Sequence, residues 1–189
     1  ISVSDKVSFW SRLGVRISHD TKVFLFIRGL SFTSDNGPVI NALKGSSQTF
    51  KLIFLGMGNL YKEKTIYWLN KCDLFKKSFF LALLPFDQVA AIIRCSDFIV
   101  SPTPHDGLPN SLLETMAYGS IPIFSRIDSI EEWVKDGVNG FLFNLYGPIG
   151  ETRTVFDGAF AMTEQERRLM LKRNKQLVCD RGEYESNMG

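Results

Sequence analysis

Histidine and cysteine are scarce in this chain, with two of the first and three of the second among 189 residues. So few ligating side chains exclude an obvious metal cluster. An odd set of cysteines without paired spacing, Cys72, Cys95 and Cys179, excludes a disulfide framework. Reduced, structural thiols are the expectation. A dominant charge is missing too, since 22 basic residues stand against 20 acidic ones for a net of +2. That balance gives no reason to expect nucleic acid or a strongly anionic surface as partner. No apolar run approaches the roughly 20 residues that span a bilayer, and no basic segment leads into an apolar core at the amino terminus. Internal repeats and low-complexity tracts are also absent. No Gly-x-Gly-x-x-Gly follows the first apolar run, which argues against a nicotinamide dehydrogenase.

What remains is the composition of one ordinary globular domain, 44% hydrophobic and 22% charged, long enough to bury a core. Short apolar runs at 23–27, 51–55, 78–83, 97–102, 121–124 and 140–143 read as strands. Helical patterns at 39–43, 59–70, 86–94, 109–118 and 130–134 alternate with them. Regular alternation of this kind implies a Rossmann-like α/β fold: a doubly wound parallel sheet with helices on both faces. Ligands of such sheets bind at the carboxyl ends of the strands. Thr163 followed three residues later by Glu166 is a capping box, and the helix it opens is expected to reach Val178. Residues 1–21, with Phe9, Trp10, Leu13 and Val15, read as a linker and docking segment that forms a short helix and then turns at Ser18-His19-Asp20. Residues 22–179 form the domain, and 180–189 a polar, frayed tail. A start at Ile1 and an end at Gly189 suggest a piece of a longer protein.

The densest signal runs from His105 to Ile123. Asp106-Gly107 is a turn, Pro109 suits the first helical position, and Leu112, Leu113, Met116 and Ala117 recur at helical spacing. Gly119 suits the position after the last turn. Asp106 then precedes the helix and Glu114 sits on its second turn, with the open backbone amides of the helix start between them. Such an arrangement is an anion site with a carboxylate at each side.

The order acid-Gly-Leu-Pro-Asn-x-Leu-Leu-Glu-x-Met-Ala-x-Gly-x-Pro resembles the signature of retaining glycosyltransferases of the GT-B fold. That is the group 1 family, marked by two glutamates seven residues apart. The resemblance continues through Ile130-Glu131-Glu132-Trp133-Val134 and Asp136-Gly137-Val138-Asn139-Gly140, and covers roughly residues 22–145. It implies one half of a GT-B fold, the carboxyl-terminal domain that binds a UDP- or GDP-linked sugar. The implied reaction is retaining transfer of that sugar to an acceptor hydroxyl in glycan or polysaccharide biosynthesis. No cofactor and no metal are required by that scheme. The implied partners are the nucleotide-sugar donor, a missing amino-terminal acceptor-binding domain and a glycan or lipid-linked acceptor. The implied location is cytoplasmic, with any peripheral contact at the inner membrane face left to the missing domain.

Carried over residue by residue, the resemblance gives Glu114 the ribose hydroxyls and Asp106 the donor sugar, as the catalytic pair. The backbone of Gly107, Leu108 and Asn110 faces phosphate or sugar oxygens. Arg28 and Gly29 grip the diphosphate after the first strand, and Gly56 and Gly58 form a small loop facing the nucleotide. Three departures stand out. The first acid is Asp106 where the family usually has Glu, the family's Gly-Arg is here Arg28-Gly29, and the clamp lysine some five positions later is absent. Helix amides or another cation, Lys62 or Lys64, are the candidates to replace that lysine. His105 reads as a loop residue, and Trp10, Trp68 and Trp133 as packing. A non-catalytic nucleotide-binding or interaction module on the same fold is the alternative, and a sugar-nucleotide epimerase is disfavoured by the Asp-Gly-Leu-Pro-Asn run.

Overall fold

The computed structural model describes residues 2–27 and 34–186. Among these, chain order runs α1 (Val3–Arg12), β1 (Lys22–Phe26), α2 (Gly37–Ala42), β2 (Phe50–Leu55) and α3 (Asn59–Lys71). A short 3-10 turn at Phe75–Lys77 leads into β3 (Ser78–Leu81). Then come α4 (Phe86–Arg94), β4 (Phe98–Ser101), α5 (Asn110–Tyr118), β5 (Ile121–Ser125) and α6 (Asp128–Glu131). β6 (Phe141–Phe143), α7 (Ile149–Ala161) and α8 (Glu164–Ser186) complete it.

The strands form one sheet in the order β3-β2-β1-β4-β5-β6, every pairing parallel. Continuous apolar runs suit strands covered on both faces, and the period of two sorts each run between two cores. Phe24 and Phe26 point into one core with Val39 and Ile40 of α2 and Phe156 of α7. Val23 and Leu25 point into the other with Trp10 of α1, Ile92 and Ile93 of α4, and Leu112 and Met116 of α5. Phenylalanines crowd the first core. Register places Phe26 opposite Phe54 and Phe54 opposite Phe80. The rings stack at 4.6 Å and 5.1 Å between centroids, an offset geometry that favours aromatic pairs.

Several elements differ from the sequence reading. The third strand ends at Leu81, not at residue 83, because β2 stops beside it: Gly56 turns away with φ +64° while its N–H donates to the Leu81 carbonyl. Ala82 and Leu83 become loop. Pro109 is the N-cap of α5 in extended geometry, so the helix begins at Asn110. The stretch read as a frayed tail continues α8 to Ser186. Polar composition does not stop a helix that lacks proline, since each added residue adds a backbone hydrogen bond. The helix is anchored by Asn174, whose amide donates to the Asn139 carbonyl, and by Arg181, which donates to the Glu132 carbonyl and lies over the Trp133 ring.

The segment read as a short helix docking onto the domain is α1, part of the second core. Trp10 is fully buried and its indole N–H donates to the Cys95 carbonyl at 2.7 Å. Trp10→Phe keeps the ring but leaves that carbonyl without its donor, which should cost about 1–3 kcal/mol; Trp10→Ala should cost about 3–5 kcal/mol. Urea unfolding measures both, and an unchanged midpoint in Trp10→Ala would make α1 a dispensable appendage.

Candidate functional site

The strand order reverses direction between β1 and β4. From β1 the chain winds outward to β2 and β3, and from β4 outward to β5 and β6. The crevice at their carboxyl ends is the topological switch point where such folds hold ligands. Arg28 and Gly29, which follow β1, lie outside the described residues. Where the description resumes, the Asp35 N–H donates to the Pro102 carbonyl at 2.9 Å and the hydroxyls of Ser34 and Thr103 stand 3.5 Å apart. The chain arriving from β1 is thereby tied to the segment leaving β4.

That second segment carries the acid pair. Asp106 is half-buried in a shallow depression with Ser101, Thr103, Pro109 and Ser125. Its backbone carbonyl accepts from the Ser129 hydroxyl at 2.9 Å. α5 opens just beyond it. The N–H groups of Gly107, Leu108, Asn110 and Ser111 donate to no described residue, and Leu108 is exposed. Open amides at a helix start combine hydrogen-bond donors with the positive end of the helix dipole. Gly119 closes the helix at φ +93°, a left-handed cap for which glycine carries no steric penalty.

Glu114 sits half-buried on the second turn of α5 and makes no hydrogen bond or ion pair to a described residue. Burial pushes its carboxyl above the ordinary value. A carboxylate that is partly desolvated yet unpartnered is an unmet acceptor. On the same helix the Ser111 hydroxyl is buried without a partner among the described residues.

The cations near the crevice are mostly engaged. Lys64 pairs with Asp35 at 3.3 Å. Arg126, after β5, pairs with Glu131 at 2.7 Å and Asp136 at 2.8 Å, and the Glu131 hydrogen bond raises its pKa. Lys62 differs. It stands on the first turn of α3 over the Phe80 ring, 5.4 Å from its centroid, at a hollow of about 440 Å³ that includes Gly56, Ala82 and Leu83. Gly58 is the N-cap of α3 with ordinary negative φ, so of the Gly-x-Gly pair only Gly56 adopts a conformation that favours glycine. The sequence reading did not assign a site to Phe80, Ala82 and Leu83, having placed them in the third strand. His105 is exposed loop, as the reading had it.

Strand order, switch point and open helix start define the Rossmann-like α/β unit of GT-B glycosyltransferase folds. Within that class, residues 12–148 match the family model for glycosyl transferases group 1, and the chain belongs to that family. It is 27% identical over 145 residues to the glycogen synthase of Thermodesulfovibrio yellowstonii, covering 75% of this chain and 29% of that one. The fold is similar to Anabaena Alr3699/HepE in complex with UDP and glucose, with TM-score 0.80, 19% identity, and 96% of this chain and 49% of that one covered. It is also similar to the C-terminal domain of a glycosyl transferase group 1 family protein, LpcC, from Francisella tularensis. There the TM-score is 0.73 at 17% identity, covering 93% of this chain and 91% of that one. The chain spans about a third or less of the length of the curated relatives it matches, from 36% down to 23%. Among the described residues no helix is long and apolar enough to cross a membrane.

The raised Glu114 pKa has a stability signature. The folded chain holds that proton above pH 4.5, the ordinary value, where the unfolded chain has released it. The stability linked to the neutral form is therefore complete below 4.5 and is lost as pH rises through the raised folded value. Glu114→Gln keeps the neutral form, so it should melt with the native chain in acid and above it near neutrality. Melting temperatures that run parallel across that range would contradict the burial.

Proposed function

We propose that this chain is the carboxyl-terminal, donor-binding half of a retaining glycosyltransferase that moves a sugar from a nucleoside diphosphate to an acceptor hydroxyl. The observation that carries the reading is Glu114: a half-buried carboxylate without a partner among the described residues, one helical turn from a cluster of amides that donate to no described residue at the switch point. The ribose diol donates to Glu114, and the diphosphate lies on the amides of Gly107, Leu108 and Asn110. Asp106, on the far side of those amides, faces the sugar. Arg28 and Gly29 complete the phosphate site from the end of β1. The base reaches toward the end of β2, over Gly56 and Gly58, where the hollow beside β3 has the size of a small-ligand site.

Catalysis on this arrangement is electrostatic. As the bond from sugar to diphosphate breaks, negative charge grows on the departing phosphates and positive charge on the sugar ring. Preorganised N–H groups and the helix dipole stabilise the first without reorganising; a carboxylate at Asp106 is suited to the second. An amino-terminal domain supplies the acceptor, as a glycan or lipid-linked hydroxyl, and closes over the cleft. Partial coverage of relatives and neighbours, with near-complete overlap on an isolated C-terminal domain, supports that division.

Titration calorimetry of the chain with UDP, GDP and their sugar derivatives tests the reading. Glu114→Ala should weaken nucleoside diphosphate binding by about 1.5–3 kcal/mol in a folded protein, the contribution of a hydrogen bond to a charged group. Asp106→Ala should weaken the intact nucleotide sugar more than the bare diphosphate. Undiminished affinity in folded Glu114→Ala would remove the ribose role, and equal losses for both ligands in Asp106→Ala would remove the sugar contact.

A further inference from the structure

Resting on that donor-binding reading, we propose that Lys62 reads the nucleobase and selects donors whose base carries a carbonyl rather than an amino group at its distinguishing edge. The hollow beside β3 is walled by Met57, Phe80, Leu81 and Leu83 over Gly56, and Lys62 supplies its one charged side chain among the described residues. Leu83 is 71% exposed, so one wall is an unclaimed apolar surface at a strand end. Phe80 is held as the outer member of the stack with Phe54 and Phe26, and Lys62 lies over its face. No carboxylate among the described residues pairs with Lys62. The backbone of Lys62 is fixed as well, its N–H donating to Gly58 at 3.0 Å in the first turn of α3.

An apolar slot accepts the flat face of any base, so the walls alone select none. The main chain of Ala82 and Leu83 offers both donors and acceptors. The ammonium offers three donors and no acceptor. A base that turns a carbonyl oxygen toward it gains a charge-assisted bond, whereas a base that turns an amino group toward it sets donor against donor. Uracil and cytosine differ in that edge, oxo against amino, and guanine and adenine differ there likewise. The family's clamp lysine is absent after β1 and Lys64 is spent on Asp35. Lys62 is thus the cation without a carboxylate partner at this end of the crevice among the described residues, and its place at the β2–β3 edge assigns it to the base.

The experiment is calorimetric binding of UDP, CDP, GDP and ADP to the native chain, Lys62→Met and Lys62→Arg, with circular dichroism to confirm folding. The native chain should bind UDP about tenfold or more tighter than CDP, and GDP tighter than ADP by a similar factor. Lys62→Met should erase both ratios, and Lys62→Arg should preserve them. Equal native affinity for UDP and CDP overturns the proposal, as does a preference that survives in Lys62→Met. An equal loss for all four ligands in Lys62→Met also overturns it, by placing the ammonium on the phosphates. A folded native chain that binds none of the four overturns the donor-binding reading itself, an outcome distinct from binding without discrimination.

Discussion

The buried residue Asp97, through its carboxylate and its backbone together, joins four elements of this molecule. It accepts from the Val23 N–H at 2.7 Å and from the Lys6 ammonium, while its own N–H donates to the Val23 carbonyl. Its carbonyl accepts from Ile121 and from Arg167. One residue at the start of β4 thereby fixes β1 on one side and β5 on the other, and ties α1 and α8 to the amino edge of the sheet. Burial lowers the Lys6 pKa despite its partner. Desolvation outweighs the attraction there, as is common for buried pairs, whose contribution is better described as specifying geometry than as adding stability. The geometry specified is the relative height of β1 and β4. Since both strands are short and rigid, their carboxyl ends, where the crevice lies, inherit that height.

Between the amino edge and the crevice the two faces of the sheet are not equivalent. The face toward α2 and α7 carries the aromatic stack, and the fully buried residues of the face toward α4 and α5 are mostly aliphatic, with Trp10, Phe124 and Trp133 among them. Flat rings with one preferred stacking transmit position laterally from strand to strand, whereas aliphatic side chains mainly fill volume. The stack therefore fixes the edge at β3, and the aliphatic packing of Leu112 and Met116 seats α5. These are the two elements that frame the crevice from opposite sides.

How much of this was legible in the sequence divides along the range of the interactions. The strands and helices were readable because a buried parallel strand is a continuous apolar run and an amphipathic helix repeats at its own period. The stretch around α5 was readable because turn, helix start, both carboxylates and the glycine cap lie within a few residues of one another. Trp10 was read as packing, but its place was not. That place depends on the Cys95 carbonyl, 85 positions away. The end of β3 was misplaced by two residues because Ala82 and Leu83 have strand-like character, and only the absence of a pairing partner beyond Leu55 converts them to loop. The tie from Asp35 to Pro102 and the placement of Lys62 over Phe80 depend likewise on registers that no local pattern carries.

The shortened acid and the missing lysine fit together once charge is followed through the site. Lys64 and Arg126 are each compensated by neighbouring carboxylates. Among the described residues the positive potential at α5 then comes mainly from oriented amides, whose partial charges act only within the first turn. A field of such short range holds a phosphate group close against the helix start. Asp106 precedes that start by four residues and its backbone is pinned by Ser129. On the proposed reading a ligand drawn close to the amides comes nearer to the backbone that bears this acid, which suits a side chain shorter by one methylene. On the donor-binding reading proposed above, the loss of a distant cation and the loss of reach at the first acid become two expressions of one adjustment, a donor seated deeper against the helix.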